Sequence, residues 1–436
     1  MRSTRKQSPI IKSNPERKFP MNKSDVIIVG GGAAGLFSAV MLARNGVKCL
    51  VLEQNKILGK KLLITGKGRC NVTNNCDTQT VMKNIPRNPR FMYSPLSQFA
   101  PEDTMRFFEE LGVKLKTERG NRVFPESDKS QSIVNALVDE AKRLGVKFAK
   151  ERVTEIKEQN GRISQVITDK SSYLAEYVIL ATGGKSYPST GSKGDGYTFS
   201  QKLGHTVTEL KGSLVPLVTE ESEACEMMGL SLKNVTLTLV DNHKNKKLYS
   251  EMGEMLFTHF GVSGPLVLSA SAHIDKVEKG RYTLSIDLKP ALSEKQLDER
   301  ILRDFSEEKN RDFANSLGRL LPSTLIPIIV SRSKIPPDLK VNSITREQRL
   351  SLVTLIKNYT LTVRDFRPID EAIITSGGVS IKEISPKTME SKLVEGLYFA
   401  GEIIDVDAYT GGFNLQIAFS TAYAAASAIT EKLMYQ

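Results

Sequence analysis

Four histidines (His205, His243, His259 and His273) and four cysteines (Cys49, Cys70, Cys76 and Cys225) are few for a chain of 436 residues. With no C-x-x-C pair and no Cys/His ligand spacing, no metal centre and no disulfide scaffold is expected. Cys70 and Cys76 stand too far apart for the four-residue loop of a dithiol redox enzyme, so Cys70 reads as a small packing residue. Unpaired thiols fit a reducing cytoplasm. No window approaches the roughly 18 consecutive apolar residues of a membrane span, so no membrane partner is expected. The N-terminus lacks the apolar core of a secretory signal. Internal repeats and low-complexity runs are missing too.

What is present is the composition of a folded protein, 40% hydrophobic and 25% charged, long enough for two or three compact units. The net charge of +12 is uneven: Arg2, Arg5, Lys6, Lys12, Arg17, Lys18 and Lys23 face only Glu16, so half of the excess lies before Ser24. The remainder is mildly basic, which disfavours nucleic acid as a partner. Pro9, Pro15 and Pro20 interrupt any helix there, and residues 1–22 are expected to form a disordered basic tail. A start-site artefact upstream of Met21, a functional arm and an acid-poor targeting peptide all fit it.

Asp25–Val29 is a short β-branched run bounded by glycines, the pattern of a buried parallel strand. Leu36, Ala39, Val40 and Ala43 then recur at helical spacing up to Asn45-Gly46, and 47–52 predicts a second strand ending at Glu53. Residues 101–112 and 130–145 read as helices. Val146–Ile156, Ile163–Thr168 and Tyr173–Ala181 read as strands, with Asn160-Gly161 as a hairpin turn. From 194 to 290 short strands dominate, as in Val235–Val240 and Tyr282–Leu288. Residues 291–357 read as helices broken by Pro322, Pro327 and Pro336-Pro337, and extended character returns at Thr360–Arg364. Leu397–Ala400, a glycine-containing loop and a helix over 412–432 close the chain.

Between the first strand and helix stands Gly30-x-Gly32-x-x-Gly35. Gly30 permits the tight turn, Gly32 lets the backbone approach a pyrophosphate, and Gly35 allows close helix–strand packing. N–H groups at the helix start face the anion, and Glu53, about 20 residues on, is placed to accept from ribose hydroxyls. An acid at that position favours FAD or NAD over NADP. The far end discriminates: after Leu397–Ala400 come Gly401, Glu402 and Asp405, then Gly411, Gly412, Asn414, Leu415 and Gln416 opening a helix. A carboxylate after a strand suits ribityl hydroxyls, and a helix N-terminus suits a flavin edge that turns anionic on reduction. The plain alternative is a glycine-rich turn at a domain edge.

The runs GGGAAG (30–35), LGKKLLITGKGRCNVTN (58–74), RVFPESDKS (122–130), ILATGGKSYPSTGSKGDGY (179–197), THFGVSGP (258–265) and AGEIIDVDAYTGGFNLQIA (400–418) resemble the BaiN/YhiN-like family of bacterial FAD-dependent oxidoreductases. The resemblance spans nearly all of the chain beyond the tail. It implies an α/β fold: a Rossmann-like FAD-binding domain of the glutathione-reductase type (23–193 and 366–436), interrupted by a β-barrel-like domain (194–290 and 358–365) carrying a helical insert (291–357). It further implies that Gly30, Gly32, Ala33, Ala34 and Gly35 hold the pyrophosphate, and Glu53 and Gln54 the adenosine ribose. Lys61, Thr65, Gly66, Arg69, Cys70 and Asn71 lie along the flavin, Val153 near the adenine, and Ala181, Thr182 and Gly183 beside the diphosphate. Gly401, Glu402, Asp405, Gly411, Gly412, Asn414, Leu415 and Gln416 close over the ribityl chain and pyrimidine edge.

Reduced flavin gives hydride from N5, and an alkene substrate also needs a proton donor. His259, Tyr409 and Arg69 are the candidates. Each has a plain reading as well: a loop histidine, a buried tyrosine, a structural ion pair. No second glycine fingerprint follows a strand, so NADH or NADPH is expected to dock over the flavin from the insert side, unless another reductant serves. The family includes a reductase of unsaturated 3-oxo bile acids using NADH, a specificity that no motif of this insert reproduces. The expected activity is that of an FAD-dependent oxidoreductase passing hydride to a small, partly apolar, enone-like molecule. The alternative is a flavoprotein that chiefly binds RNA through the tail and Arg300, Arg303, Lys309, Arg311 and Arg319. A flavin scaffold used for protein contacts is a third, and oligomeric state is left open.

Overall fold

The computed structural model describes residues 21–274 and 276–435. The expected tail therefore lies outside the described residues, except for Met21 and Asn22, which belong to the first strand. That strand, Met21–Val29, starts earlier than Asp25 because Met21–Ser24 pair with Ser172–Ala175. The polar run Asn22-Lys23-Ser24 carries no hydrophobic signal that would reveal it.

Met21–Val29 runs parallel between Cys49–Glu53 and Ser172–Leu180. Lys147–Lys150 extends the sheet beyond Cys49–Glu53, and Leu397–Phe399 pairs with Ser172–Leu180, both again parallel. Val26, Ile27 and Ile28 are fully buried, as a strand covered on both faces requires. The run 146–156, expected as one strand, is two: Lys147–Lys150 at one edge and Val153–Gln159 at the opposite one. The break is held by the Glu151 N–H on the Glu53 carbonyl and the Arg152 N–H on Asp169. Val153–Gln159 then pairs antiparallel with Arg162–Thr168 through Asn160 (φ 56°) and Gly161 (φ 77°), the two positive angles of a type I′ turn.

Helix Ala33–Arg44 packs against helix Phe413–Met434, so the first and last helices share one core. Phe37 sits at that seam, its ring 4.8 Å from Phe107, 5.0 Å from Phe99 and 5.2 Å from Phe419. Burying one such ring contributes about 1.5–3 kcal/mol.

The chain leaves this unit and returns through a two-stranded ribbon, Lys211–Ser213 against Ile374–Ser376. Between these strands six others close a barrel in the order Leu217–Thr219, Gly261–Ser263, Lys246–Thr258, Ser231–Asp241, Tyr282–Asp287 and Tyr359–Phe366. Closure leaves no open sheet edge. Helices Glu294–Glu307 and Arg346–Lys357 are inserted between Tyr282–Asp287 and Tyr359–Phe366, each opened by a capping box, Ser293 with Gln296 and Thr345 with Gln348. Pro327 does not break a helix but lies in the first turn of Ile326–Ser333, where its missing N–H costs nothing. The barrel and these helices share a second hydrophobic core.

Candidate functional site

One cavity of about 1420 Å³ lies between the α/β unit and the barrel, and both glycine-rich turns open onto it. Gly30 adopts φ +106°, and a Cβ there would lie 2.5 Å from the Ala181 carbonyl oxygen. A Cβ at Gly35 would overlap the Gly30 carbonyl oxygen, so this glycine serves helix–strand packing and does not line the cavity. At Gly32 a Cβ would meet nothing within 4 Å; it would project into open space. Gly32 also caps helix Ala33–Arg44 with no side chain on its first N–H groups, leaving them free for an anion.

Glu53 organises this loop: its carboxylate accepts from the Gly31 N–H at 2.8 Å and from the N–H and side-chain amide of Asn55, both 2.8 Å. Gln54 donates to the Gly191 carbonyl at 2.7 Å. Gly30, Gly32, Ala33, Ala34, Glu53, Gln54, Val153, Ala181, Thr182 and Gly183 all line this end of the cavity. Thr182 Oγ1 and, further along, Asn71 Oδ1 are buried without a hydrogen-bond partner. Buried polar atoms rarely stay unpaired, and both sit in the wall of this space.

Towards the C-terminal end, Lys61, Thr65, Gly66, Arg69, Asn71, Gly401, Glu402, Gly411, Gly412, Asn414 and Leu415 line the cavity. Lys61 Nζ lies 2.6 Å from Glu402 Oε2, and Glu402 Oε1 accepts from the Thr375 N–H at 2.8 Å and Ser186 Oγ at 3.1 Å. Helix Phe413–Met434 starts at Gly412 with no side-chain cap, so a second set of helix N–H groups points at the same space. Asn414 turns back to bond the Ala408 N–H and carbonyl at 2.9 and 2.7 Å, which shapes the turn. Two uncapped helix ends, orphaned acceptors and a carboxylate near a lysine fit a dinucleotide with a long polyhydroxyl chain. The volume exceeds the roughly 300–1,000 Å³ of ordinary small-ligand pockets, leaving room for a second molecule.

Besides Gly35, four expected residues do not face the cavity. Cys70 is fully buried, its thiol pushed up to about 12 by burial, and packs as a small side chain. Asp405 turns away to an ion pair with Arg87, because the chain reverses after Gly401–Ile403. Gln416 is fully buried, accepting from Thr73 and Thr104 and donating to the Phe99 carbonyl; it ties the last helix to the first unit. His259 lies at an exposed hairpin tip, where Thr258 pairs with Gly261, and its ring meets Phe260.

Of the other proton-donor candidates, Arg69 lines the cavity but is held by Glu118 and Asp128 and lies 4.1 Å over the Phe124 ring. The hydrogen bond to Glu118 raises its pKa further, so it stays a cation and does not donate a proton. Tyr409 lines the cavity with its phenol pushed up to about 12, by burial first and then by Glu251 and Asp407. It is a neutral acid at any physiological pH. Tyr249, Glu251, Met252, Met255 and Leu256 of the barrel strand Lys246–Thr258, with Leu266 and Leu268 of the adjoining helix Pro265–Ser271, stand in no motif and also line the wall. Only the barrel's closure brings them there, so sequence carried no signal for them.

Among the described residues, no group of three or more His, Cys, Asp or Glu could hold a metal ion, and no helix is long and apolar enough to cross a membrane. Of the basic insert residues, Arg300 and Arg303 approach Asp304, Arg311 pairs with Glu308 and Arg319 with Glu307.

A family model described as "HI0933-like protein Rossmann domain" matches residues 24–428. The chain is 31% identical over 409 residues to a 3-dehydro-bile acid delta(4,6)-reductase of Clostridium scindens, covering 93% of this chain and 98% of that one. It is 32% identical over 415 residues to a ribosomal RNA dihydrouridine synthase of Haemophilus influenzae, covering 94% and 99%. The fold is similar to that of a 3-ketosteroid delta1-dehydrogenase from Sterolibacterium denitrificans, with a TM-score of 0.50 at 12% identity, covering 94% and 100%.

Proposed function

Because this chain belongs to the HI0933-like family and is a flavin-dependent oxidoreductase, we propose that it reduces a carbon–carbon double bond conjugated to a carbonyl. The observation that carries this reading is the large cavity on which two uncapped helix N-termini, from opposite ends of the chain, converge beside an apolar barrel wall. When bound, FAD supplies hydride from N5 of its reduced ring.

The chain's own groups then divide the work. The N–H groups after Gly32 and the backbone of Ala181, Thr182 and Gly183 bind the pyrophosphate, while Glu53 and Gln54 hold the adenosine ribose and Val153 flanks the adenine. Lys61, Thr65, Gly66, Arg69 and Asn71 lie along the ring. Glu402 with Gly401 takes the ribityl hydroxyls, and Gly411, Gly412, Asn414 and Leu415 close the pyrimidine edge. Cys70, Asp405 and Gln416 support these groups from behind. In domain terms, the cofactor unit reaches past the expected boundary at 193 to the Lys211–Ser213 ribbon and resumes at Ile374 rather than at 366, because Tyr197, Phe199 and Leu203 are buried in its core; the strands between form the barrel, and 291–357 the helical insert. Met252, Met255, Leu256, Leu266 and Leu268 offer a flat apolar face to a small, partly apolar enone, and Tyr409 faces it as the proton donor. NADH or NADPH docks from the barrel side, and the free thiols suit a cytoplasmic setting.

A second substrate is favoured by one observation: Lys67, Arg119 and Arg122 line the cavity, the first two of them exposed. Uracil carries the same conjugated double bond, and the Haemophilus influenzae relative bears the name of an enzyme of ribosomal RNA. The deciding experiment reduces the flavin anaerobically with NADH and NADPH, then offers neutral cyclic enones and uridine-containing RNA. Reoxidation by enones alone supports the first reading and by RNA alone the second; reoxidation by neither defeats the proposal.

A further inference from the structure

His273, which belongs to no motif, stands behind the cavity wall just after helix Pro265–Ser271. Its ring stacks on Tyr409, with centroids 5.0 Å apart and planes 26° from parallel, and meets Tyr249 at 5.3 Å and 40°. Tyr409 belongs to the C-terminal segment, whereas His273 and Tyr249 belong to the barrel. The three rings form a ladder between the two units. A second link lies beside it, Ser269 Oγ 3.3 Å from Thr410 Oγ1.

The backbone of Tyr409 is pinned separately, its N–H donating to the Asn84 carbonyl at 2.9 Å and its own carbonyl accepting from Asn414 at 3.3 Å. That leaves the ring torsion to be set by what the ring touches. His273 Nε2 is buried without a hydrogen-bond partner, so this nitrogen anchors nothing. Burial also disfavours its charged form. A neutral aromatic face against a phenol is what remains.

We infer that His273 is a positioning residue, holding the Tyr409 ring against the barrel so that its hydroxyl faces the cavity as proton donor. The inference rests on the reduction proposed above. In that step the Tyr409 O–H bond breaks as a C–H bond forms next to the carbonyl, the electron pair having arrived as hydride from the reduced dinucleotide. The phenolate then recovers a proton from water. Glu251 from the barrel strand and Asp407 from the C-terminal segment face the same phenol and disfavour the phenolate, while Tyr249 donates to Glu251 at 3.1 Å.

The test uses the full chain with its flavin. The Tyr409 phenol is titrated by ultraviolet difference absorbance, its signal assigned by its loss in Tyr409→Phe. In the unmodified protein it is expected to titrate at about 12, raised by burial and by Glu251 and Asp407. His273→Leu removes the ring that keeps the phenol in its buried place beside Glu251 and Asp407, so the value moves towards the ordinary one of about 10, while His273→Phe, which keeps the ring, leaves it raised. In parallel, dithionite-reduced protein is reoxidised anaerobically by cyclohexenone. His273→Leu lowers kcat about tenfold to a hundredfold with KM little changed, and His273→Phe stays within about twofold. A His273→Leu protein that titrates and reacts like the unmodified one overturns the inference, as does a His273→Phe protein as impaired as His273→Leu. Full activity in Tyr409→Phe also overturns it, by removing the donor. Failure of every protein to react with cyclohexenone counts against the enone reading instead, and the titration still decides the stack.

Discussion

Lys61 and Glu402, 341 residues apart in the chain, meet at 2.6 Å on the wall of the cavity. The pair ties the segment after the first βαβ unit to the turn before the last helix, and both side chains are only about a fifth to a quarter exposed, at 24% and 20%. Lys61→Met leaves the Glu402 carboxylate without its cation. A loss of about 1–3 kcal/mol is expected, between the values for exposed and buried pairs. Glu402→Gln keeps an acceptor for the Thr375 N–H and should cost less than Glu402→Ala; thermal denaturation of the flavin-loaded variants checks the order.

The two glycines of the fingerprint separate folding from binding. Gly35→Ala drives a methyl into the Gly30 carbonyl, and a loss of more than about 4 kcal/mol is expected, enough to prevent folding. Gly32→Ala meets no protein atom and its backbone is extended, so the variant should keep the parent circular dichroism. It should nevertheless bind FAD at least about tenfold more weakly, a difference of about 1.4 kcal/mol, because the methyl occupies the anion's approach.

Asp407 gives a pH signature. Burial raises its pKa, against the lowering effect of hydrogen bonds from Ser376 and Ser213, each 3.0 Å away. Between the ordinary carboxyl value of about 4 and the raised one, the native state keeps a proton that the unfolded chain has lost. Stability therefore falls as pH rises through that window. Asp407→Asn, which cannot ionise, lacks this fall, so its melting temperature should gain on the parent's as pH rises from about 4 and level off above the raised value. A constant difference across pH would contradict this.

How far the sequence could be read depended on whether a residue's environment was local. Gly30, Gly32 and Gly35 were legible because strand, turn and helix define their surroundings within a few residues. The type I′ turn at Asn160-Gly161 was legible for the same reason. Asp405 and Gln416, expected beside the cofactor, do not line the cavity, because their partners Arg87 and Phe99, which hold them elsewhere, lie some three hundred residues away in the chain. Tyr249, Glu251 and His273 had no local signature, since a barrel must close before they approach Tyr409.

The thiols offer a check on that correction. Burial pushes Cys49 and Cys70 up to about 12, so neither should react with iodoacetamide at neutral pH in the native protein, and both should react in urea. Because Cys70 does not line the cavity, Cys70→Ala should change FAD affinity by less than about twofold, or 0.4 kcal/mol.

That the two ends of the chain enclose one dinucleotide is tested most directly by titrating flavin-stripped protein with FAD and following fluorescence. One FAD should bind per chain, saturably, with affinity lowered both by Gly32→Ala at one end and by Glu402→Ala at the other. No saturable binding, or binding indifferent to either substitution, would contradict the account.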